Sequence, residues 1–390
     1  MKKVIKKFCK KIKYVIKKLF VGILEVPIFK IDNKKIVFDN FNGKGFGCNP
    51  KYIALELIKE NIDCKMIWLV NDLNTEMPCE IKKVKYGSFR SYFELATAKI
   101  WIDNVRNYKG IEKKKEQFYL QTWHASIGLK KCEADIENLL SPNYVSEAKN
   151  DGQITDLMIS DSKFVTNVFK SAFWYDGPIK EIGFPRNDIL NNCSYEIKKK
   201  IYDFYKIDYF KKIAIYAPTF RKNVNLEYFS FDFERCCHIL KKKFNEDFVL
   251  FIRLHPNDVE HSKQIIENEN IINVTLYPDV QELLSVSSLG ITDYSSVAFD
   301  LAVGGKPVFL LCKDYDNFIS KERDLFFDMY ELPFKLNLTE DELYDNIIEF
   351  SQEEYKNRCS EFFKREDISP IKTSTAAYDV VQIIKEKIKR

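Results

Sequence analysis

The stretch ITDYSSVAFDLAVGGKPVFLL, residues 291–311, contains in one run the unit that most restricts this chain: strand, tight turn, short helix, strand. Ile291 closes an apolar run. Thr292, Asp293, Ser295 and Ser296 are all of the types that cap helix starts. A helix through Val297, Phe299 and Leu301 stops at Gly304-Gly305, and Lys306-Pro307 leads into a second apolar run. The alternation recurs along the chain. Strands are expected at 34–41, 65–70, 99–104, 117–123 and 157–162, then at 211–219, 248–256, 271–275, 288–293 and 306–311. Helical patterns lie between them, at 50–59, 88–98, 162–173, 233–243 and 280–286. Strands alternating with helices give βαβ units and parallel sheets. At 390 residues the chain exceeds one ordinary core. The fold class is therefore α/β, with two doubly wound Rossmann-like domains facing a central cleft, divided as 31–195 and 196–390. A last helix, 376–390, is expected to pack back on the first domain.

Charge is unevenly spread. The net charge is +4, but the first twenty residues carry nine Lys and no acid, which leaves the remainder near −5. Val4, Phe8, Ile12, Val15 and Leu19 fall at helical spacing there, with lysines on the other face. Residues 1–30 read as a basic amphipathic segment suited to an anionic membrane surface. They lack the continuous apolar core of a signal peptide and are too charged to span a bilayer. A packed helix with a solvated lysine face is the plainer alternative. A mildly acidic body does not fit a nucleic-acid partner. The ten Cys form no CxxC pair and there are four His, so a zinc cluster is not expected. Scattered thiols fit a reducing compartment.

Ligands of doubly wound sheets bind outside the carboxyl ends of the strands, and the notable polar residues fall there. His124, after Trp123 at the end of one strand, is placed as a general base; a structural histidine bonded to backbone would look the same. In FIRLHPND one of Arg253 and His255 is expected in the cleft. Thr219 and Arg221 follow another strand, and a guanidinium fork matches phosphate oxygens, though a surface Arg paired with a carboxylate would read alike. Arg186 and Asn187 lie in the GFPRND turn near the domain boundary. The helix start at Thr292, Asp293, Ser295 and Ser296 offers N–H groups and hydroxyls to an anion, unless these residues only cap. His238 and His261 read as surface groups. Asp314-Tyr315-Asp316 resembles a DxD metal motif, but it brings too few convergent oxygens, and no metal is expected.

Five of these segments in order resemble the CDP-glycerol glycerophosphotransferase family, the teichoic-acid primases and polymerases. They are Trp123-His124 with Leu129-Lys130, Gly-Phe-Pro-Arg-Asn-Asp at 183–188, Tyr-Ala-Pro-Thr-x-Arg at 216–221, Arg-x-His-Pro at 253–256, and Thr-Asp-Tyr-Ser-Ser at 292–296 with Phe299-Asp300 and Lys306-Pro307. The resemblance spans about residues 35–330. It implies a GT-B fold, no cofactor or metal, and a peripheral enzyme on the cytoplasmic face of the cell membrane. His124 would take the proton of the acceptor hydroxyl. His255 and Arg221, with Ser295 and Ser296, would hold the diphosphate. Arg186, Asn187, Thr219, Arg253, Thr292 and Asp293 would line the donor site, and Trp123 and Lys130 the acceptor loop, with 31–195 the acceptor domain and 196–390 the CDP-donor domain. The donor would be CDP-glycerol, or alternatively CDP-ribitol, and the acceptor a lipid-linked or glycan chain. Ala125 and Gly128 stand where the family usually has Gly and Pro, which bears on acceptor choice. Two other readings remain open on the residues alone. One is a GT-B glycosyltransferase using a nucleotide sugar, and the other a non-catalytic membrane scaffold.

Overall fold

The computed structural model describes residues 22–24, 29–106, 110–221, 231–255, 258–321, 324–368 and 374–389. The lysine-rich segment through residue 21 lies outside the described residues. Two parallel sheets form the frame. The first has the order β3-β2-β1-β4-β5-β6-β7, from Asp32–Phe38 (β1), Lys65–Val70 (β2), Ile81–Lys85 (β3), Ala98–Asp103 (β4), Phe118–Gln121 (β5), Leu157–Ser160 (β6) and Ile179–Glu181 (β7). The second has the order β10-β9-β8-β11-β12-β13, from Lys212–Ala217 (β8), Phe248–Ile252 (β9), Ile271–Asn273 (β10), Ser287–Thr292 (β11), Val308–Leu311 (β12) and Leu336–Asn337 (β13). The chain belongs to the α/β class expected from its periodicity. β3, β7 and β13 are additions at sheet edges. They are short or lysine-rich (IKKVK, IKE, LN), so no apolar run announces them.

In each sheet the strand order reverses between one central pair, β1 with β4 and β8 with β11. Loops leaving such a pair diverge to opposite faces and open a crevice at the strand ends. Two such crevices face each other here. The helix Cys48–Lys59 of the first domain meets the helix Val280–Val286 of the second through Lys51, whose ammonium lies 2.6 Å from both Asp279 and Glu282. The Tyr52 hydroxyl donates to Asp279 at 2.9 Å. One apolar cluster runs without a break from Phe38 and Trp68 in the first sheet to Phe251 and Leu310 in the second.

Helix ends follow sequence chemistry. Ser88, Ser162 and Ser194 each accept the backbone N–H three residues on. The helix Ala376–Lys389 packs on Cys48–Lys59 and β4, its first two N–H groups donating to Asp188 at 3.1 and 2.8 Å. Among the described residues no helix is long and apolar enough to cross a membrane, and nine cysteines are unpaired.

Burial alone would raise the Glu282 carboxyl, but Lys51, Lys200 and the Tyr277 hydroxyl outweigh it and hold it at about 2. Its stabilising contribution is present above the ordinary value of 4.5 and is lost as pH falls through about 2. Removing the cation leaves two buried carboxylates facing one another. Lys51→Ala is therefore expected to destabilise the protein by about 3–5 kcal/mol, read as a lower denaturant midpoint.

Candidate active site

His124 stands just past β5, beside the central β1–β4 pair. Its Nδ1 lies 2.6 Å from the carbonyl oxygen of Asn104. A carbonyl can only accept, so Nδ1 carries the proton and Nε2 keeps its lone pair. The ring is held between Trp123, with centroids 4.0 Å apart, and Phe41 at 5.1 Å. Trp123 sits at φ 53°, a left-handed conformation uncommon for a bulky residue, and its N–H donates to the Gln121 side chain at 2.9 Å. Burial, and then the positive charge of Arg186, push the His124 imidazole down to about 4. It is therefore neutral at physiological pH, with Nε2 available as a base.

Asn49 organises this corner. Fully buried in the helix Cys48–Lys59, its amide donates to the carbonyls of Thr122 at 3.3 Å and Trp123 at 2.9 Å. Its oxygen accepts the Arg186 backbone N–H at 3.0 Å. Asn104, at the end of β4, braces the other side of the histidine. It accepts the Phe41 N–H at 2.9 Å and donates to Asn40 at 2.8 Å. Sequence reasoning singles out neither asparagine. The paired Asp-Asn dipeptides ending β1 and β4 (Asp39-Asn40, Asp103-Asn104) are the available signal.

Across the cleft, His255 is exposed beyond β9, with the Phe220 ring at 5.4 Å. Partial desolvation of its ring by surrounding groups pushes its pKa down; Asp258 opposes this, while Lys130, Lys44 and Arg253 add to it. Lys44 and Lys130 belong to the first domain, so the cleft brings them to His255. The Lys130 ammonium is 5.1 Å from the Phe318 ring of the second domain. The loop bearing Lys130 bonds directly to that domain, Phe326 N–H to Leu129 O and Lys131 N–H to Asp324 O, each at 2.8 Å. Ser295 and Ser296 are half-buried at the start of the helix Val297–Val303. Ser295 Oγ accepts the Val297 N–H at 3.3 Å, and Ser296 makes no side-chain cap.

Several residues expected at the donor are otherwise engaged. The Arg221 fork meets Asp293 (3.0 Å), Asp314 (2.8 Å) and the Thr219 carbonyl (2.9 Å), and its plane lies 5.0 and 4.8 Å from the Tyr294 and Phe318 rings. Asp314 of the DxD is thus ion-paired to this arginine. The Thr219 N–H and hydroxyl both donate to Asp293, at 2.8 and 2.5 Å. Thr292 is buried and donates to the Ala217 carbonyl at 2.6 Å, tying β11 to β8. Arg253 donates to the carbonyls of Val274 (3.0 Å) and Tyr277 (2.8 Å), bracing the loop after β10. Arg186 is buried and donates to both oxygens of Asp300, at 3.0 and 2.7 Å. Asn187 accepts from Gln281 at 2.6 Å. The last two join the domains and place Arg186's charge beside His124. Lys306 holds the carbonyls of Leu284 and Ser285. His238 is exposed, and His261 is half-buried with Asp258 at 3.4 Å.

The CDP-Glycerol:Poly(glycerophosphate) glycerophosphotransferase family matches residues 23–385. The chain belongs to that family. It is 31% identical over 376 residues to the teichoic acid poly(glycerol phosphate) polymerase of Bacillus subtilis (strain 168), covering 91% of this chain and 49% of the relative. To the teichoic acid glycerol-phosphate transferase of Staphylococcus aureus (strain NCTC 8325 / PS 47) it is 30% identical over 358 residues, 86% of this chain and 90% of the relative. The chain thus spans about half the length of the poly(glycerol phosphate) polymerases of B. subtilis and S. epidermidis. The structure of the wall teichoic acid polymerase TagF superposes with TM-score 0.84 at 27% identity, covering 100% of this chain and 98% of that one. TagF has also been solved soaked with CDPG. Ribitol-phosphate polymerases match at 25–26% identity. The fold is accordingly GT-B-like, two parallel-sheet domains about a cleft.

An NMR titration of the imidazoles checks the state of His124, whose midpoint is expected near 4 rather than the ordinary 6.5. The unfolded chain binds this proton at higher pH than the folded one. The group's contribution to stability is thus complete above 6.5 and is lost as pH falls through about 4.

Proposed function

We propose that this chain transfers glycerol phosphate from CDP-glycerol to a hydroxyl of a membrane-associated teichoic-acid acceptor, forming a phosphodiester and releasing CMP. The observation that carries the reading is His124. It is a neutral imidazole whose Nδ1–H is fixed on the Asn104 carbonyl and whose Nε2 is left open. It stands across the cleft from His255 in a chain of this family. His124 Nε2 accepts the proton of the acceptor hydroxyl, whose oxygen attacks the phosphorus bearing glycerol. The bond to the bridging oxygen breaks, and its electron pair leaves on the phosphate of CMP. His255, with the Ser295 and Ser296 hydroxyls, stands where the diphosphate would lie, and donors aimed at developing charge lower the barrier. Residues 31–195 serve as the acceptor side and 196–390 as the donor side. Trp123 orients the base, and Lys130 faces the donor from the acceptor loop.

Burial, with the positive charge of Arg186 adding to it, makes His124 a weak base. An arriving diphosphate brings negative charge and raises its pKa, which moves it toward the range where general bases work best. The greater similarity to glycerol-phosphate than to ribitol-phosphate enzymes favours CDP-glycerol over CDP-ribitol. The lysine-rich N-terminus would hold the protein peripherally on the anionic cytoplasmic face of the membrane, where a lipid-linked acceptor is found.

The test is release of CMP from CDP-glycerol, with CDP-ribitol and UDP-sugars in parallel, on membranes or a synthetic lipid-linked acceptor. CMP release is expected from CDP-glycerol, falling at least about 10²-fold in His124→Ala. Release from CDP-ribitol alone would change the polymer, and UDP release would move the chain to the glycosyltransferases. An unchanged rate in His124→Ala would remove it as the base. The acid limb is expected at lower pH for kcat/KM, which reports the free enzyme, than for kcat, which reports the complex.

A further inference from the structure

The loop after β1, Phe41-Asn42-Gly43-Lys44-Gly45, is held in an unusual shape. Phe41, Asn42, Gly43 and Gly45 all have positive φ, at 47°, 59°, 79° and 77°. At Gly43 a Cβ would come within 2.8 Å of Tyr86 Cβ, so no larger residue fits there. The backbone is pinned from every side. Gly43 N–H donates to Asp39 at 2.7 Å, Asn71 N–H to Gly43 O at 2.7 Å, Trp68 Nε1 to Gly45 O at 3.1 Å, and Asn40 to Lys44 O at 2.9 Å. Strain of this kind persists where surrounding structure enforces it, and it gathers at functional sites.

The loop starts against the first histidine and runs toward the second domain. At one end Phe41 packs on the His124 ring. At the other, Gly47 lies with its would-be Cβ 3.6 Å from the Pro278 carbonyl of the second domain, next to Tyr277, whose carbonyl Arg253 holds. Lys44 lies between these contacts. Its backbone is fixed, and its side chain is exposed with no hydrogen-bond partner among the described residues. The groups acting on His255 are Asp258 and Arg253 from its own domain and Lys44 and Lys130 from the other.

We propose that Lys44, together with Lys130, contacts the donor's diphosphate from the first domain, opposite His255 and the Ser295–Ser296 turn. This rests on the donor reading above. As the acceptor oxygen bonds to the glycerol-bearing phosphorus and the bridging bond breaks, the electron pair collects on the CMP phosphate, between Lys44 and His255. The hydroxyl proton has gone to His124. The pinned loop sets the distance between base and leaving group, with Phe41 positioning the one and Lys44 receiving the other.

The backbone carries the loop's bonds, so Lys44→Met leaves the fold intact. It is expected to lower kcat/KM for CDP-glycerol by at least about tenfold, chiefly through kcat, with Lys44→Arg restoring much of the loss. It also removes one of the cations acting on His255, so the His255 titration followed by NMR should move to higher pH, which checks that Lys44 lies within electrostatic reach of that ring. CDP affinity, measured by calorimetry on the full chain without acceptor, should weaken in Lys44→Met. A rate within about threefold of wild type together with unchanged CDP affinity overturns the proposal. If the wild type releases no CMP, the donor reading fails, and CDP affinity and the His255 titration decide the role of Lys44 alone.

Discussion

The side-chain amide of Asn49 is the contact on which the site depends. A single buried group grips the carbonyls of the His124 loop with its nitrogen and the Arg186 turn with its oxygen. Arg186 in turn reaches Asp300 in the other domain. The His124 loop, the helix behind it and the domain interface are thereby one hydrogen-bonded unit. Leaving any member of such a network unsatisfied in a low-dielectric interior is costly, so the members hold or fail together.

Charge in the cleft is arranged in two layers. The inner layer is neutralised: Arg186 with Asp300, Arg221 with Asp293 and Asp314, and Lys51 with Asp279 and Glu282. These pairs set geometry and have little left to offer a ligand. The outer layer is the cleft-facing set of His255, Lys44 and Lys130, whose charges act on one another. Buried cations build the frame, and the accessible ones lie outside it.

That division explains what the sequence could and could not reveal. Alternating periods of two and 3.6 disclose the sheets and helices, because both faces of a central parallel strand must be apolar. The serine caps and the span of the helix Val280–Val286 are legible for the same local reason. The roles of Arg221, Asp293 and Arg186 are not, because each depends on a partner 72 to 114 residues away. An arginine after a strand looks the same whether a phosphate or an aspartate awaits it. His124 is legible by its position at a strand end, while Asn49 is hidden in a helix that reads as simply amphipathic. The strained FNGKG loop shows in the sequence only as a glycine-rich turn.

The helix Ala376–Lys389 belongs in space to the first domain, lying on Cys48–Lys59 and β4 and capped by Asp188, with the Lys387 ammonium 4.6 Å from the Phe118 ring. In time it follows the second domain. A ribosome makes it only after the entire second domain, so the first domain waits, with an apolar helix face bare, until its neighbour has been synthesised. Domains made in sequence normally finish in sequence. Here a helix made after the second domain closes the first core, and a chain lacking it would carry His124 on an unfinished domain.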